Sequence, residues 1–150
     1  MKQSPEMDNL EAVLRSSKLV AGGFLGSDRR SVCEIIEEDR RRLDNAGVGC
    51  KELAGRMREI TDAAKRQLGG CVKVSDRLEA WVEEAKGVLV CPWPHSGGIL
   101  KRITTVRNVE TGETVTWSDL NIHLIEEHGF FEGKGSAMRL EPGEIVKMIC

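Results

Sequence analysis

The feature that most constrains this chain is a change of hydrophobic period close to residue 70. Before it, Leu53, Met57, Ile60, Ala64 and Leu68 recur at the 3.6-residue spacing of an amphipathic helix. After it, Val72, Val74, Leu78, Ala80 and Val82 fall on one parity, with Glu79, Trp81 and Glu83 on the other, as on a half-buried strand. One set of residues cannot satisfy both periods, so helices and strands are segregated along the chain. That segregation predicts an α+β fold rather than an alternating βα one.

The helical part spans 8–68. Leu10, Val13, Leu14 and Leu19 mark a first helix, interrupted at Gly22-Gly23. Ser27 reads as the N-cap of a second helix, with Asp28 at the positive end of its dipole. Val32, Ile35, Ile36, Leu43 and Ala46 line its apolar face, and Gly47 stands where a left-handed residue ends a helix. Glu37-Arg41 and Glu38-Arg42 are favourable i,i+4 pairs, so the acidic and basic block reads as a solvated face. Asp39 lies inside the apolar stripe. A carboxylate there needs a partner, most simply from a neighbouring helix.

The sheet region, 71–117, reads as two hairpins. Glu84-Ala85-Lys86-Gly87 looks like one turn, and Glu110-Thr111-Gly112 another, between Ile99–Val109 and Glu113–Trp117. From 118 the pattern is helix, Gly-rich loop, helix. Ser118 or Thr116 caps a helix over 119–128 that Gly129 ends, and Pro142 opens a last helix carrying Ile145, Val146 and Ile149. The expectation is a single domain over 1–150, in which N-terminal helices pack on an antiparallel sheet of about four strands, followed by two short C-terminal helices.

Of the 150 residues, 40 % are hydrophobic, enough for a core, and the net charge is −2. There is therefore no general basic field to draw nucleic acid. The tight Gly turn between the second and third helices superficially suggests a helix-turn-helix reader, but long helices with acidic exposed faces argue against it. No apolar run approaches a membrane span, and the N-terminus lacks the apolar region of a signal peptide. Five widely spaced cysteines (33, 50, 71, 91 and 150), none in a C-x-x-C pair, read as reduced thiols. Together these predict a cytoplasmic protein with no membrane partner.

Two segments concentrate the chemistry. Cys91-Pro92-Trp93-Pro94-His95 and His123–Arg139 hold all three histidines. Cys91, His95, His123 and His128 form a legitimate donor set for tetrahedral Zn²⁺. On a continuous helix, however, His123 and His128 stand about 140° apart. The bland alternative pairs His123 with Glu127 and leaves His128 as a cation on the helix C-terminus.

Gly133, Lys134, Gly135, Ser136 and Arg139 suggest a second possibility, an anion cradle of backbone N–H groups and cations, although the register is not that of a P-loop. The competing reading is a tight surface loop pinned by Phe130 and Phe131. Lys101, Arg102 and Arg107 make at most a partial basic patch, because their parities differ.

The stretch from Val90 to Pro142, with Cys-Pro-Trp-Pro-His, His-Leu-Ile-Glu-Glu-His-Gly-Phe-Phe-Glu-Gly-Lys-Gly-Ser and Arg-Leu-Glu-Pro, resembles small bacterial cytosolic proteins of unassigned function. The resemblance implies only a cytosolic setting.

The residues point first to a small binding module for an anionic small molecule or a metal, with Zn as the candidate cofactor. A zinc-dependent hydrolase, with His128 or Glu127 carrying the proton, is a second reading. A protein-interaction module, including a homo-oligomer, is a third.

Overall fold

Ser31, Ser118 and Pro142 set the starts of three helices, and left-handed glycines end two of them. The computed structural model describes residues 3–17, 22–67, 70–95 and 97–150. Among these are five helices, α1 (Pro5–Arg15), α2 (Val32–Ala46), α3 (Cys50–Lys65), α4 (Asp119–His128) and α5 (Pro142–Ile149). There are four strands, β1 (Val72–Lys73), β2 (Leu78–Val90), β3 (Gly98–Asn108) and β4 (Thr114–Ser118). The strands form one antiparallel sheet in the order β1-β2-β3-β4. The protein is α+β, as the change of period requires. Leu19, Leu68 and Gly69 lie outside the described residues.

Three boundaries differ from expectation. The N-cap of α2 is Ser31, whose Oγ accepts from Glu34 N–H, rather than Ser27. Ser27 and Asp28 instead serve a turn: the Asp28 carboxylate pairs with Arg30 at 2.7 Å and accepts the Lys134 N–H at 3.1 Å. The run from Val72 to Val82 is not one strand either. Val74 N–H returns to the Leu78 carbonyl, closing a tight turn between β1 and β2.

The third difference shapes the site. Residues 84–87 make no hairpin turn. β2 runs through them with a register shift between Glu84 and Val88, and Gly87 takes a φ of 101° inside the irregularity. An irregularity of this kind bends a strand without ending it. The actual reversal is therefore delayed to residues 91–97, between Val90 and its partner Gly98. This puts Cys91 and His95 at the far end of a long hairpin.

Two apolar clusters hold the elements together. In the larger, Leu53, Met57, Ile60 and Ala64 of α3 meet Leu78, Ala80, Val106 and Trp117 of the sheet, with Ile122 and Ile125 of α4 and Ile145 and Ile149 of α5. A buried polar chain crosses it: Trp117 Nε1–H donates to Thr61 Oγ1 at 2.9 Å, and Thr61 bonds Thr104 at 2.6 Å. The smaller cluster joins Leu10, Leu14, Phe24, Leu25, Val32, Ile35, Leu120, Leu124 and Phe130 with Cys91, and Trp93, Leu89 and Ile99 pack on it. It anchors the hairpin end against α4. No described helix is long and apolar enough to cross a membrane.

A candidate metal centre

α4 begins with a reciprocal cap. Ser118 Oγ accepts Asn121 N–H at 3.0 Å, and Asn121 Oδ1 accepts Ser118 N–H at 2.8 Å. The helix ends at Gly129, φ 62°, whose N–H returns to Ile125. These fixed ends place His123 mid-helix and make His128 its last residue. Five positions carry His128 about 140° around and about 7.5 Å along the axis from His123, yet their ring centroids are only 5.4 Å apart. The two side chains converge from either side of the helix end, where the 91–95 segment lies across it.

That segment is short and stiff. Pro92 and Pro94 fix two backbone torsions, and His95 N–H donates to the Trp93 carbonyl at 2.8 Å. Cys91 turns inward and is 3 % exposed. Trp93 stacks on His128, centroids 4.1 Å apart and planes 9° from parallel, and its other neighbour is Phe130 at 5.5 Å. His95 stays exposed, with its ring 4.9 Å from His123 and 5.6 Å from His128.

The donor atoms of Cys91, His95, His123 and His128 all lie within 4.8 Å of one another. Cys91 Sγ is 3.4 Å from His128 Nε2, and His95 Nε2 is 3.1 Å from His123 Nε2. A zinc tetrahedron with Zn–S about 2.3 Å and Zn–N about 2.0–2.1 Å has S···N edges of about 3.6 Å and N···N edges of about 3.3 Å. These two pairs already approximate opposite edges of that figure.

The local electrostatics suit neutral donors. Burial, then the neighbouring His123 and His95, lower the pKa of His128 to about 4. Burial and His95 lower that of His123. Burial also pushes the Cys91 thiol up, away from the thiolate that a cation would favour. His128 is thus not the cation on a helix C-terminus that sequence alone allows, and His123 meets His95.

The Gly-rich loop lies elsewhere, and several of its polar groups are engaged within the protein. Gly133 N–H donates to the Phe24 carbonyl at 2.8 Å, and Lys134 N–H goes to Asp28. Ser136 Oγ–H donates to Glu132 at 3.1 Å. Gly133 is dictated by close approach, since a Cβ there would sit 2.4 Å from the Leu25 carbonyl oxygen. Gly135 (φ 89°) has Ser27 Oγ against it in the same way. The Arg139 side chain, 6 % exposed, forks onto the fully buried Asp39 at 2.5 and 2.9 Å and also reaches Glu141. Asp39 finds its partner, as its place in the apolar stripe demands, but in the loop before α5 rather than on a neighbouring helix. Lys134 alone of these residues keeps an exposed charged side chain.

Two of the three basic residues noted on β3 are matched, Arg102 with Glu84 and Asp119, and Arg107 with Glu79, while Lys101 is exposed. No protein-family model, curated protein or solved structure matches this chain. Function has to be argued from the site itself.

Two contributors were not singled out from sequence. Trp93 carries no donor atom for the cluster, yet it is the platform on which the His128 imidazole lies. Asp119, the first residue of α4 and one helical turn before His123, has its Oδ1 buried without a hydrogen-bond partner. A hollow of about 1390 Å³ between α3, α5 and the β3–β4 turn is lined by mixed charges such as Lys51, Arg56, Glu59 and Lys147 and by none of the three histidines.

Proposed function

We propose that this chain is a metal-binding protein in which Cys91, His95, His123 and His128 hold one Zn²⁺ ion. The observation that carries the reading is the convergence of four donors of the right chemistry from two segments about 30 residues apart in sequence. One thiolate and three neutral imidazoles form an accepted tetrahedral zinc set. With all four donor atoms within 4.8 Å of one another, no edge has to shorten by more than about 1.5 Å to close the sphere, within reach of χ rotations of the exposed His95.

In this reading the ion joins the β2–β3 reversal to the C-terminal end of α4. Four protein ligands leave no open position for a zinc-bound water. The role is therefore structural or regulatory rather than hydrolytic. His128 stacks on Trp93 and faces Cys91, which suits a ligand better than a proton carrier.

The test is metal analysis of the purified protein, with Co²⁺ substitution as the spectroscopic check. Stoichiometric zinc is expected. The cobalt form is expected to show tetrahedral d–d absorption and a thiolate charge-transfer band that Cys91→Ser removes. Substoichiometric metal, or a cobalt spectrum unchanged in Cys91→Ser, would overturn the assignment.

A further inference from the structure

We infer that Asp119 is a positioning residue of the metal centre, which fixes the His123 ring by accepting its Nδ1–H when Nε2 carries the ion. The inference rests on the zinc reading above and adds to it the group that orients one ligand from behind.

Asp119 and His123 are residues i and i+4 of α4, so their Cβ atoms stand about 5–6 Å apart on one face of the helix. Side chains on a helix lean toward its N-terminus. That lean carries the His123 ring over the turn that Asp119 opens and away from Glu127 on the next turn. Both residues also line one hollow between α3, β3 and α4.

The carboxylate has an acceptor to spare. Its Oδ2 takes Arg102 of β3 at 3.2 Å. Its Oδ1 is, among the described residues, the one buried side-chain oxygen or nitrogen without a hydrogen-bond partner. Buried polar atoms are nearly always paired. Because Oδ1 is sealed from solvent, its donor has to be a group of the protein itself. Neighbouring donors are committed elsewhere. Arg58 forks onto Glu126 at 2.9 and 3.1 Å, Lys65 meets Asp62 at 3.2 Å, and Asn121 N–H goes to Ser118.

His123 holds the matching nitrogen. Its Nε2 faces the donor cluster, 3.1 Å from His95 Nε2, while its Nδ1 makes no hydrogen bond among the described residues. A neutral imidazole carries a single proton. With two Nε2 atoms facing each other, one of them bears the proton between them, and where His123 bears it, Nδ1 is an acceptor with nothing to offer Asp119. A metal on Nε2 uses that lone pair and fixes the proton on Nδ1, which turns Nδ1 into a donor. Metal-bound histidines almost always pass this second N–H to a carboxylate, a carbonyl or water. Asp119 Oδ1 is such a carboxylate oxygen, one helical turn away and with its place unfilled. Arg102 holds the carboxylate by the other oxygen, and both side chains are largely covered, at 13 % and 19 % exposure. Arg102, Asp119 and His123 thus form a relay of fixed contacts from β3 to the ion.

The experiment is a set of long-range ¹H–¹⁵N correlation spectra of the imidazoles in ¹⁵N-labelled, zinc-loaded protein. His123 is expected to be ligated through Nε2 and to show a slowly exchanging Nδ1–H. Asp119→Ala is expected to lose that signal and to weaken zinc binding about 10–100-fold in competition with a chromophoric chelator. Asp119→Asn, which keeps an oxygen acceptor, is expected to recover part of both. The spectrum of the unmodified protein decides the matter should Asp119→Ala fold poorly. Zinc bound through His123 Nδ1, an Nδ1–H that exchanges as fast as a solvent-facing one, or unchanged zinc affinity in Asp119→Ala would each overturn the inference and leave the zinc reading standing. Imidazole spectra that zinc does not alter would overturn the zinc reading itself, and this inference with it.

Discussion

Trp93 lies flat against His128, and on the far side of that contact His128 Nε2 sits 3.4 Å from the Cys91 sulfur. The indole fixes the plane of the imidazole and excludes water from one of its faces, and both prolines beside it limit where the indole can go. Groups that orient a metal ligand without touching the ion typically govern affinity by 10–100-fold. Trp93→Ala is therefore expected to weaken zinc binding by about that factor, and Trp93→Phe to recover most of it. Competition against a chromophoric chelator measures both.

The Asp39–Arg139 pair makes a prediction that separates the two candidate sites. Both side chains are nearly sealed, at 0 % and 6 % exposure. Removing one member of such a pair strands a buried charge and costs about 3–5 kcal/mol, whereas replacing both with apolar residues costs far less. Asp39→Ala should lower the urea midpoint severely, and Asp39→Leu combined with Arg139→Met should restore much of it. Phosphate should protect none of these proteins, because Arg139 is engaged inside the fold rather than offered to an anion. Phosphate-dependent stabilisation lost in Arg139→Met would restore the anion-cradle reading.

Glu132 gives the fold a pH dependence of defined sign. It is 4 % exposed, takes a φ of 69°, and accepts hydrogen bonds from Asn121 and Ser136. Burial raises its pKa from 4.5 to about 7, against the opposing effect of those bonds and of Arg139. Between those values the folded state holds a proton that the unfolded state has released, so stability falls as pH rises from about 4.5 to 7. The contribution lost by pH 8 is about 3 kcal/mol. Glu132→Gln, which resembles the protonated acid, should flatten that part of the stability–pH curve and be the more stable protein at pH 8. Urea titrations at pH 5 and pH 8 decide it.

What sequence conveyed and what it did not follow from the range of each signal. The helix caps at Gly47, Gly129 and Pro142 and the period-2 faces are local, and they read directly. Donor identity at Cys91, His95, His123 and His128 is also local. Their meeting is not, because it depends on where the hairpin reverses. The register shift after Glu84 moves that reversal from 84–87 to 91–97, and glycine-rich spacing alone cannot distinguish a kinked strand from a turn. The packing of the 133–139 loop is hidden from sequence for the opposite reason. Its glycines are needed because another backbone, at Leu25–Ser27, comes within contact distance, and a partner more than 100 residues away leaves no local trace. Asp39 could be recognised as needing a cation, but nothing nearby says that the cation is Arg139.

The proposed ion also predicts where stability resides. Cys91 and His95 belong to the hairpin end, and His123 and His128 to α4. Apart from Cys91, Leu89, Trp93 and Ile99, which meet the smaller cluster, the hairpin end is open to solvent, with Val88, Val90 and Leu100 54 %, 46 % and 55 % exposed. A ligand that binds only the folded state stabilises it by about 4 kcal/mol at a thousandfold excess over Kd. In a domain of this size each kcal/mol is worth roughly 2–4 °C in Tm. Zinc should therefore raise Tm by roughly 8–16 °C, and chelation should reverse the rise. The change should be concentrated, with amide exchange in 88–100 slowing far more than in α3, whose apolar face is already buried in the larger cluster. His95→Ala, at the exposed corner of the site, should abolish the zinc effect while leaving the metal-free Tm nearly unchanged. Equal slowing in α3 and the hairpin would mean that the metal acts on the whole fold rather than as a local tie.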